Sequence, residues 1–161
     1  MIADAKRPAF TVRAFRPVPE DAAAASAILC ESKEAAAWPE SALQHDAFDA
    51  SNTLAYFSET GGLPTGFIVG RHAADEGEIL NLAVSGVSRR QGQGLALVNQ
   101  LFEAFRQHSV ARVFLEVRES NSAAIAFYEK LGFRLSGRRP SYYHDPVEAA
   151  LLYSKALEST G

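Results

Sequence analysis

Cysteine is almost absent from this sequence, with a single one among 161 residues. One thiol cannot form a disulfide within the chain or supply the paired cysteines of a structural zinc site, and the scarcity fits a reducing compartment. Cys30 falls in an alanine-rich helical pattern, where we expect it to pack as a small apolar side chain. The histidines also lack ligand spacing, so no metal is expected. They stand at His45, His72, His108 and His144.

The sequence also lacks a basic excess and a long apolar run. Sixteen Lys and Arg stand against nineteen Asp and Glu, which gives a net charge of −3. General nucleic-acid binding usually needs a basic face, so that class is disfavoured. No run is long enough to cross a bilayer, and residues 1–8 are charged rather than apolar as in a signal peptide. We therefore expect a cytoplasmic protein with no nucleic-acid or membrane partner and a flexible start at residues 1–9.

The length and composition suit one globular domain. Apolar residues make up 47% of the chain and charged residues 22%. A chain of this length buries one substantial core rather than two. We predict a single domain over residues 1–161, and the sequence is compatible with either a monomer or a homodimer.

Strand-like and helix-like patterns follow each other along the whole chain. The predicted strands are 10–16, 53–58, 66–70, 78–84, 111–117, 133–136 and 149–153, and the predicted helices are 21–34, 39–48, 95–108 and 122–131. Short turns join the second, third and fourth strands into an antiparallel meander. The 95–108 helix lies between two strands, which makes a βαβ crossover with a parallel pair. A loop is expected over residues 138–146.

These elements predict an α/β (α+β) fold. It should contain a central mixed, mostly antiparallel sheet of about six to seven strands, flanked by about four helices, with the parallel pair at the βαβ unit. The apolar side of the 95–108 helix should face the core. Its predicted members are Leu95, Val98, Leu101, Phe102 and Phe105.

The stretch from Arg89 to Leu95 joins a strand to the start of that helix. Backbone N–H groups at a helix start lack partners and lie at the positive end of the helix dipole, which favours a phosphate. The dinucleotide pattern G-x-G-x-x-G does not fit, because only Gly92 and Gly94 are present. A Walker loop does not fit either, because no Lys-Ser or Lys-Thr follows.

The stretch does match the pattern [RQ]-x-x-G-x-[GA], as Arg89-x-x-Gly92-x-Gly94. A second motif, LEVRESNSAAIAFYEKLGF, runs from Leu115 to Phe133. The two motifs together resemble the GNAT superfamily of acyl-CoA-dependent N-acyltransferases, and most closely the bacterial ribosomal-protein N-terminal alanine acetyltransferases. The resemblance implies an enzyme that uses acetyl-CoA without a metal. Its acceptor would be a primary amine, above all the N-terminal α-amine of a protein such as a ribosomal protein, acetylated directly in a ternary complex.

The resemblance also assigns the cofactor-binding residues. The backbone of Leu82, Ala83 and Val84 would meet the acetyl and pantetheine portions, with the Val84 N–H polarising the thioester carbonyl. Asn121 would contact the cofactor arm. The pyrophosphate would lie against Arg89, Arg90, Gln91, Gly92, Gln93, Gly94 and Leu95. The closest family often has an arginine where this chain has Leu95, so a side-chain contact to phosphate is lost there.

Glu116 is a carboxylate on a largely apolar strand, where it alternates with Leu115 and Val117. Burial raises the pKa of a carboxyl group in general, which suits a base working near neutral pH. The alternative is a salt bridge to Arg118 or another basic group. The resemblance favours a general base.

Tyr128 lies seven residues after Asn121, two turns further along the same predicted helix, so both could face one cofactor. A phenol has an ordinary pKa near 10, above about 8.5 for a thiol, and can therefore protonate a departing thiolate. The alternative is a core tyrosine that packs at helical spacing beside Ala124 and Ile125. The resemblance favours a role for Tyr128 as the general acid.

Three aromatic residues are candidates for the acceptor site. Trp38, Tyr142 and Tyr143 could flank a peptide end, as similar positions do in the N-terminal acetyltransferases. Trp38 could instead plug the core, since buried aromatic residues more often pack than bind, and the two tyrosines could simply close a hairpin. Arg138 and Arg139 are either solvated charges or a handle for an acidic partner.

The sequence is also compatible with other functions. The same cofactor could serve a small-molecule amine or a lysine side chain as acceptor. A protein of another class, a non-catalytic acyl-CoA-binding module, would carry the same loop. A nucleotide-binding protein fits the loop less well.

Overall fold

The computed structural model of the chain describes residues 9–32, 51–89 and 91–159. These residues fall into two compact units. The first unit takes the described residues up to Val69, together with Asn81–Leu101, and the second takes Gly70–Leu80 and those from Phe102 onward. Residues 1–8 of the predicted flexible start at 1–9 lie outside the described residues, as do the predicted helix 39–48, Trp38 and Arg90.

Seven strands and three helices account for the regular structure of the described residues. The strands are β1 Thr11–Ala14, β2 Thr53–Thr60, β3 Leu63–Ala73, β4 Glu76–Val84, β5 Arg112–Arg118, β6 Arg134–Tyr143 and β7 Glu148–Ala156. The helices are α1 Pro19–Glu31, α2 Gln93–Gln107 and α3 Ser122–Lys130, and a 3-10 turn spans Gly86–Ser88. None of these helices is both long and apolar enough to span a membrane.

The strands form one mixed sheet in the order β1-β2-β3-β4-β5-β7-β6. β4 and β5 are parallel, and Glu76–Ile79 pair with Arg112–Leu115. β1 pairs antiparallel with β2, and β7 pairs antiparallel with both β5 and β6. β2–β3 and β3–β4 are neighbours joined by two residues each, a connection that only antiparallel strands allow. The predicted mixed, mostly antiparallel sheet with one parallel pair is confirmed.

Strand β6 is longer than the sequence predicts. The prediction ended this strand at Ser136 and placed a loop from Arg138 onward, but β6 continues to Tyr143. Its pairing with β7 shifts register twice, once before Gly137 and again after Arg139. Such irregularities accommodate residues that do not fit a regular ladder, and proline is tolerated on an edge strand. β6 therefore continues past Pro140, because its backbone pairs with β7 on both sides of this residue, at Arg139 and at Tyr143.

The first unit has an aromatic and alanine-rich core. The rings of Phe15, Phe57 and Phe67 pack together with centroids 5.3 to 5.8 Å apart. Helix α1 buries Ala22 and Ala25 completely. Cys30 was predicted to pack, but it is exposed on α1. The buried stripe of that helix runs through Ala22, Ala25 and Leu29 at helical spacing, and the next residue points away from it.

Helix α2 buries one face and leaves its first turn partly open. Leu97, Val98, Leu101 and Phe105 are fully buried. Leu95 was predicted on this face, but it is 44% exposed. Each residue turns a helix by roughly 100°, and the buried stripe centred on Leu101 ends just short of Leu95.

Candidate active site

The end of β4 presents the residues assigned to the acyl group. Ala83 is buried, whereas Leu82 and Val84 are half-buried. The Ser85 N–H donates to the Thr65 carbonyl at 2.7 Å, which fixes the end of β4 against β3. The Leu82 N–H donates to its neighbour's side chain, Asn81 Oδ1, at 3.1 Å. Backbone groups at this strand end are therefore held in place by local hydrogen bonds.

The connecting loop folds back on the strand before the helix begins. Arg89 Nε donates to the Val84 carbonyl at 3.1 Å, so this part of the side chain stabilises the loop. Gly92 has φ +82°, a left-handed conformation that L side chains rarely adopt. A Cβ at Gly92 would meet nothing within 4 Å, so the backbone conformation rather than space requires glycine there. Gln91 and Gly92 are exposed.

The first turn of α2 provides a cradle suited to an anion. The Ala96 N–H donates to the Gly92 carbonyl at 3.1 Å. The N–H groups of Gln93, Gly94 and Leu95 precede this bond and have no helix carbonyl one turn back. Together with the helix dipole, they favour a pyrophosphate next to the exposed Gly92 backbone. The residues present therefore fit the phosphates of coenzyme A.

The side chain of Gln93 has a role that sequence reasoning missed. Gln93 is 1% exposed, although it stands between two glycines in a loop motif. Its Oε1 accepts hydrogen bonds from Ser58 Oγ at 2.7 Å and from Thr65 Oγ1 at 2.8 Å. The sequence feature that could have indicated this role is a set of hydroxyl side chains in the β2–β3 hairpin, namely Ser58, Thr60 and Thr65.

Glu116 lies on β5 in the second unit, directly after the last residue that pairs with β4. Its side chain is 23% exposed, and Arg139 Nε lies 3.5 Å from Oε1. The Tyr142 hydroxyl donates to the same carboxylate, and this hydrogen bond raises the pKa of Tyr142. The basic partner left open by the sequence is thus Arg139, whereas Arg118 lies over the ring of Tyr143 at 4.2 Å.

Tyr142 and Tyr143, at the end of β6, belong to the same cluster. Their rings meet edge to face with centroids 5.1 Å apart. Burial raises the pKa of Tyr143, while Tyr142 is 45% exposed. Nearby, Arg138 makes two hydrogen bonds of 3.0 Å to Glu119, which joins β6 to the end of β5. The end of β6 therefore brings an exposed aromatic surface to the proposed base.

Helix α3 carries the remaining two predicted residues. Asn121 is its N-cap, and Oδ1 accepts from the Ala124 N–H at 3.1 Å. Tyr128 is 8% exposed and packs edge-on against Phe127 and Phe133. Burial raises the pKa of Tyr128, so the phenol keeps its proton at neutral pH.

The structure brings some of the predicted residues together within the second unit. Glu116 contacts Arg139 and Tyr142, and Tyr143 packs against Tyr142. The end of β4 belongs to the first unit, as does the loop between β4 and α2 that contains Gly92, called the glycine loop below. Among the described residues, no group of three or more His, Cys, Asp or Glu side chains could hold a metal ion.

Residues 22–133 match the sequence profile of the acetyltransferase (GNAT) family, and the chain belongs to that family. The ribosomal protein bS18-alanine N-acetyltransferase of Escherichia coli is 42% identical over 82 residues. That alignment covers 51% of this chain and 55% of the E. coli protein. The chain thus spans about half the length of the curated relatives that it matches. The predicted family, and the similarity to this group of enzymes, are confirmed.

Solved structures agree with this assignment. The crystal structure of the E. coli ribosomal-protein-S18-alanine N-acetyltransferase aligns with a TM-score of 0.79 and 31% identity, over 94% of this chain and 96% of that one. An acetyltransferase from Bacillus anthracis, solved in complex with acetyl coenzyme A, aligns with a TM-score of 0.63 and 25% identity. That alignment covers 68% of this chain and 65% of the other.

Proposed function

We propose that this chain transfers the acetyl group of acetyl-CoA to the N-terminal α-amine of a protein, such as a ribosomal protein. The observation that carries the proposal is Glu116, a half-buried carboxylate beside Arg139 and Tyr142 in a chain of the GNAT family. The similarity to the bS18-alanine enzymes supports the choice of acceptor. A ribosomal acceptor would place the reaction in the cytoplasm.

The glycine loop and the first turn of α2 would hold the donor. The N–H groups of Gln93, Gly94 and Leu95, in the first turn of α2, would bind the pyrophosphate, together with the Gly92 backbone, and Asn121 would contact the cofactor arm. Acetyl-CoA supplies an acyl group already activated as a thioester. The Val84 N–H would polarise its carbonyl, a form of electrostatic stabilisation that a fixed backbone donor provides well.

Glu116 would accept a proton from the attacking amine, either directly or through one water. An α-amine has an ordinary pKa of about 7.7 to 8.0, against about 10.4 for lysine, so less proton removal is needed at neutral pH. Arg139 and Tyr142 would orient the carboxylate through their contacts to it. An α-amine acceptor therefore matches a single carboxylate base.

Tyr128 would protonate the departing sulfur. Burial raises the pKa of Tyr128, so the phenol carries its proton at neutral pH and its O–H can donate to the sulfur as negative charge develops there. As the C–N bond forms and the C–S bond breaks, Glu116 would take a proton from the amine and Tyr128 would give one to the sulfur, which leaves an amide and free coenzyme A. Glu116 would then release its proton to solvent and Tyr128 would regain one from solvent. This acetyl transfer needs neither a metal nor a covalent intermediate on the enzyme.

The exposed tyrosines would form one wall of the acceptor site. Tyr142 contacts Glu116 and Tyr143 packs against Tyr142, so a peptide beside them would bring its end to the base. Aromatic side chains supply contact area with little loss of conformational entropy. Trp38 stays a prediction for the acceptor site.

An acceptor panel tests the proposal. Purified chain and acetyl-CoA would be incubated with peptides beginning in Ala or Ser, with the same peptides blocked at the N-terminus but containing lysine, and with small polyamines. We expect acetylation of the free peptide N-termini, located by mass spectrometry. Acetylation of polyamines alone, or of lysine in the blocked peptides alone, would contradict the proposed acceptor.

A further inference from the structure

A closed ring of hydrogen bonds surrounds the side chain of Gln93 in the first unit. Its Nε2 lies 3.3 Å from Thr60 Oγ1, and the Thr60 and Thr65 hydroxyls are 3.2 Å apart. Thr65 Oγ1 donates back to Gln93 Oε1 at 2.8 Å. If Thr60 donates to Thr65, each hydroxyl in the ring donates once and accepts once. Ser58 Oγ supplies a further donor to Oε1 from a fully buried position.

The same hairpin is tied to the end of β4. The Thr65 carbonyl accepts from the Ser85 N–H at 2.7 Å, while its hydroxyl reaches Gln93. Gly66 leaves room for this arrangement, because a Cβ there would lie 2.3 Å from Ser58 Oγ and 3.4 Å from Val84 Cγ2. Thr65 thus connects the strand end that would face the acyl group with the helix start that would face the pyrophosphate.

We infer that Gln93 is a positioning residue for donor binding. Its side chain points away from solvent, so it cannot contact the cofactor with its amide. Its backbone N–H, however, belongs to the anion cradle, and the buried ring fixes where that N–H lies relative to the hairpin. A site works only when its binding groups are held by neighbours that are themselves fixed. This inference rests on the proposed function.

The test substitutes Gln93→Leu, which keeps the volume roughly and removes the amide. Coenzyme A affinity would be measured by calorimetry, and kcat and KM for acetyl-CoA at saturating acceptor. We expect the Kd for coenzyme A to rise roughly tenfold, which corresponds to about 1.4 kcal/mol. The kcat at saturating acetyl-CoA should stay within about twofold, because Gln93 touches no reacting atom. A purely structural role would lower Tm without changing this ratio of KM to kcat.

Two further variants make the test decisive. Gln107→Leu makes the same change at the exposed end of the same helix and should leave coenzyme A affinity unchanged. Ser58→Ala removes one partner of Gln93, and its effect on affinity should not add to that of Gln93→Leu, since both act through one network. If Gln93→Leu fails to fold, Ser58→Ala alone decides, with a smaller rise in Kd expected.

The outcomes separate the two proposals. Wild-type affinity for coenzyme A in a folded Gln93→Leu variant would overturn the inference alone, as would a fall in kcat with an unchanged KM. A wild-type chain that binds no coenzyme A would overturn the proposed function, and the positioning role with it.

Discussion

At the scale of single residues, Glu116 has an environment that sequence spacing does not convey. It was expected on an apolar strand, yet its carboxylate meets a guanidinium and a hydroxyl from β6. Two donors would fix the orientation of this carboxylate, which is the proposed base. The neighbouring carboxylate Glu119 is instead exposed and paired with Arg138, and it provides a matched control.

Glu116→Gln should lower kcat by about 100-fold or more, the usual loss when a general base is removed. The amide keeps the shape of the side chain but cannot accept the proton from the amine. The Kd for coenzyme A, measured by calorimetry, should stay close to that of the wild type. Glu119→Gln should keep wild-type kcat, and a Glu116→Gln variant with wild-type kcat would remove Glu116 from the mechanism.

Tyr128→Phe should also lower kcat by about 100-fold. The ring packing against Phe127 and Phe133 survives, whereas the proton for the departing sulfur is lost. Tyr153→Phe is the control, because it removes another buried phenol, one that bonds to Glu129 at 3.0 Å. Steady-state kinetics of both variants decide the matter: equal kcat values would leave Tyr128 with a packing role only.

At the scale of elements, the βαβ unit was predictable and the edge of the sheet was not. The 3.6-residue period placed the α2 helix, whose observed bounds are Gln93–Gln107. The length of β6 depends on hydrogen bonds to β7, and residue types such as Arg139 and Pro140 give no sign of those bonds. Local pattern reports a residue's own preferences, whereas strand pairing depends on residues far away in sequence.

In the candidate site, too, some residues could be predicted from the sequence and others could not. The motifs located the glycine loop, Glu116 and Tyr128, because each lies at a fixed position in a recognisable stretch. They did not reveal the partners Arg139 and Tyr142, which lie over twenty residues further along the chain. Gln93 was predicted only as one residue of the pyrophosphate-binding stretch, and the burial of its side chain could be found only from the fold.

Gly66→Ala tests how tightly the hairpin packs beneath α2. A Cβ at this buried position would lie 2.3 Å from Ser58 Oγ and 3.1 Å from Leu97 Cδ1, so the strand or the helix must shift. We expect a loss of about 2 kcal/mol in the free energy of unfolding, as is typical of overpacking. Urea unfolding measures it. Gly86→Ala, where a Cβ would meet nothing within 4 Å, should change stability little, and equal midpoints for the two variants would contradict the packing.

At the scale of the whole molecule, a buried charge network couples folding to pH. Asp21 is 2% exposed and accepts hydrogen bonds from Arg13, at 2.8 and 2.9 Å, and from the Arg16 N–H at 2.8 Å. Arg13 also bonds to Glu59, so β1, α1 and β2 meet in one network. The Arg13 guanidinium holds the pKa of Asp21 well below its ordinary value.

The sign of the pH dependence follows from that direction. A carboxyl whose pKa is lower in the folded state stabilises the fold fully above its unfolded pKa, about 3.9 for Asp, and loses this contribution as pH falls further. Asp21→Asn should therefore lower the free energy of unfolding by about 2 to 3 kcal/mol at pH 6, because Arg13 loses its buried partner. At pH 3 the difference from the wild type should be smaller. Asp75→Asn, in an exposed turn, is the control for urea unfolding at both pH values, and a gap that stays constant between pH 6 and pH 3 would show that the Asp21 charge is not what links β1, α1 and β2.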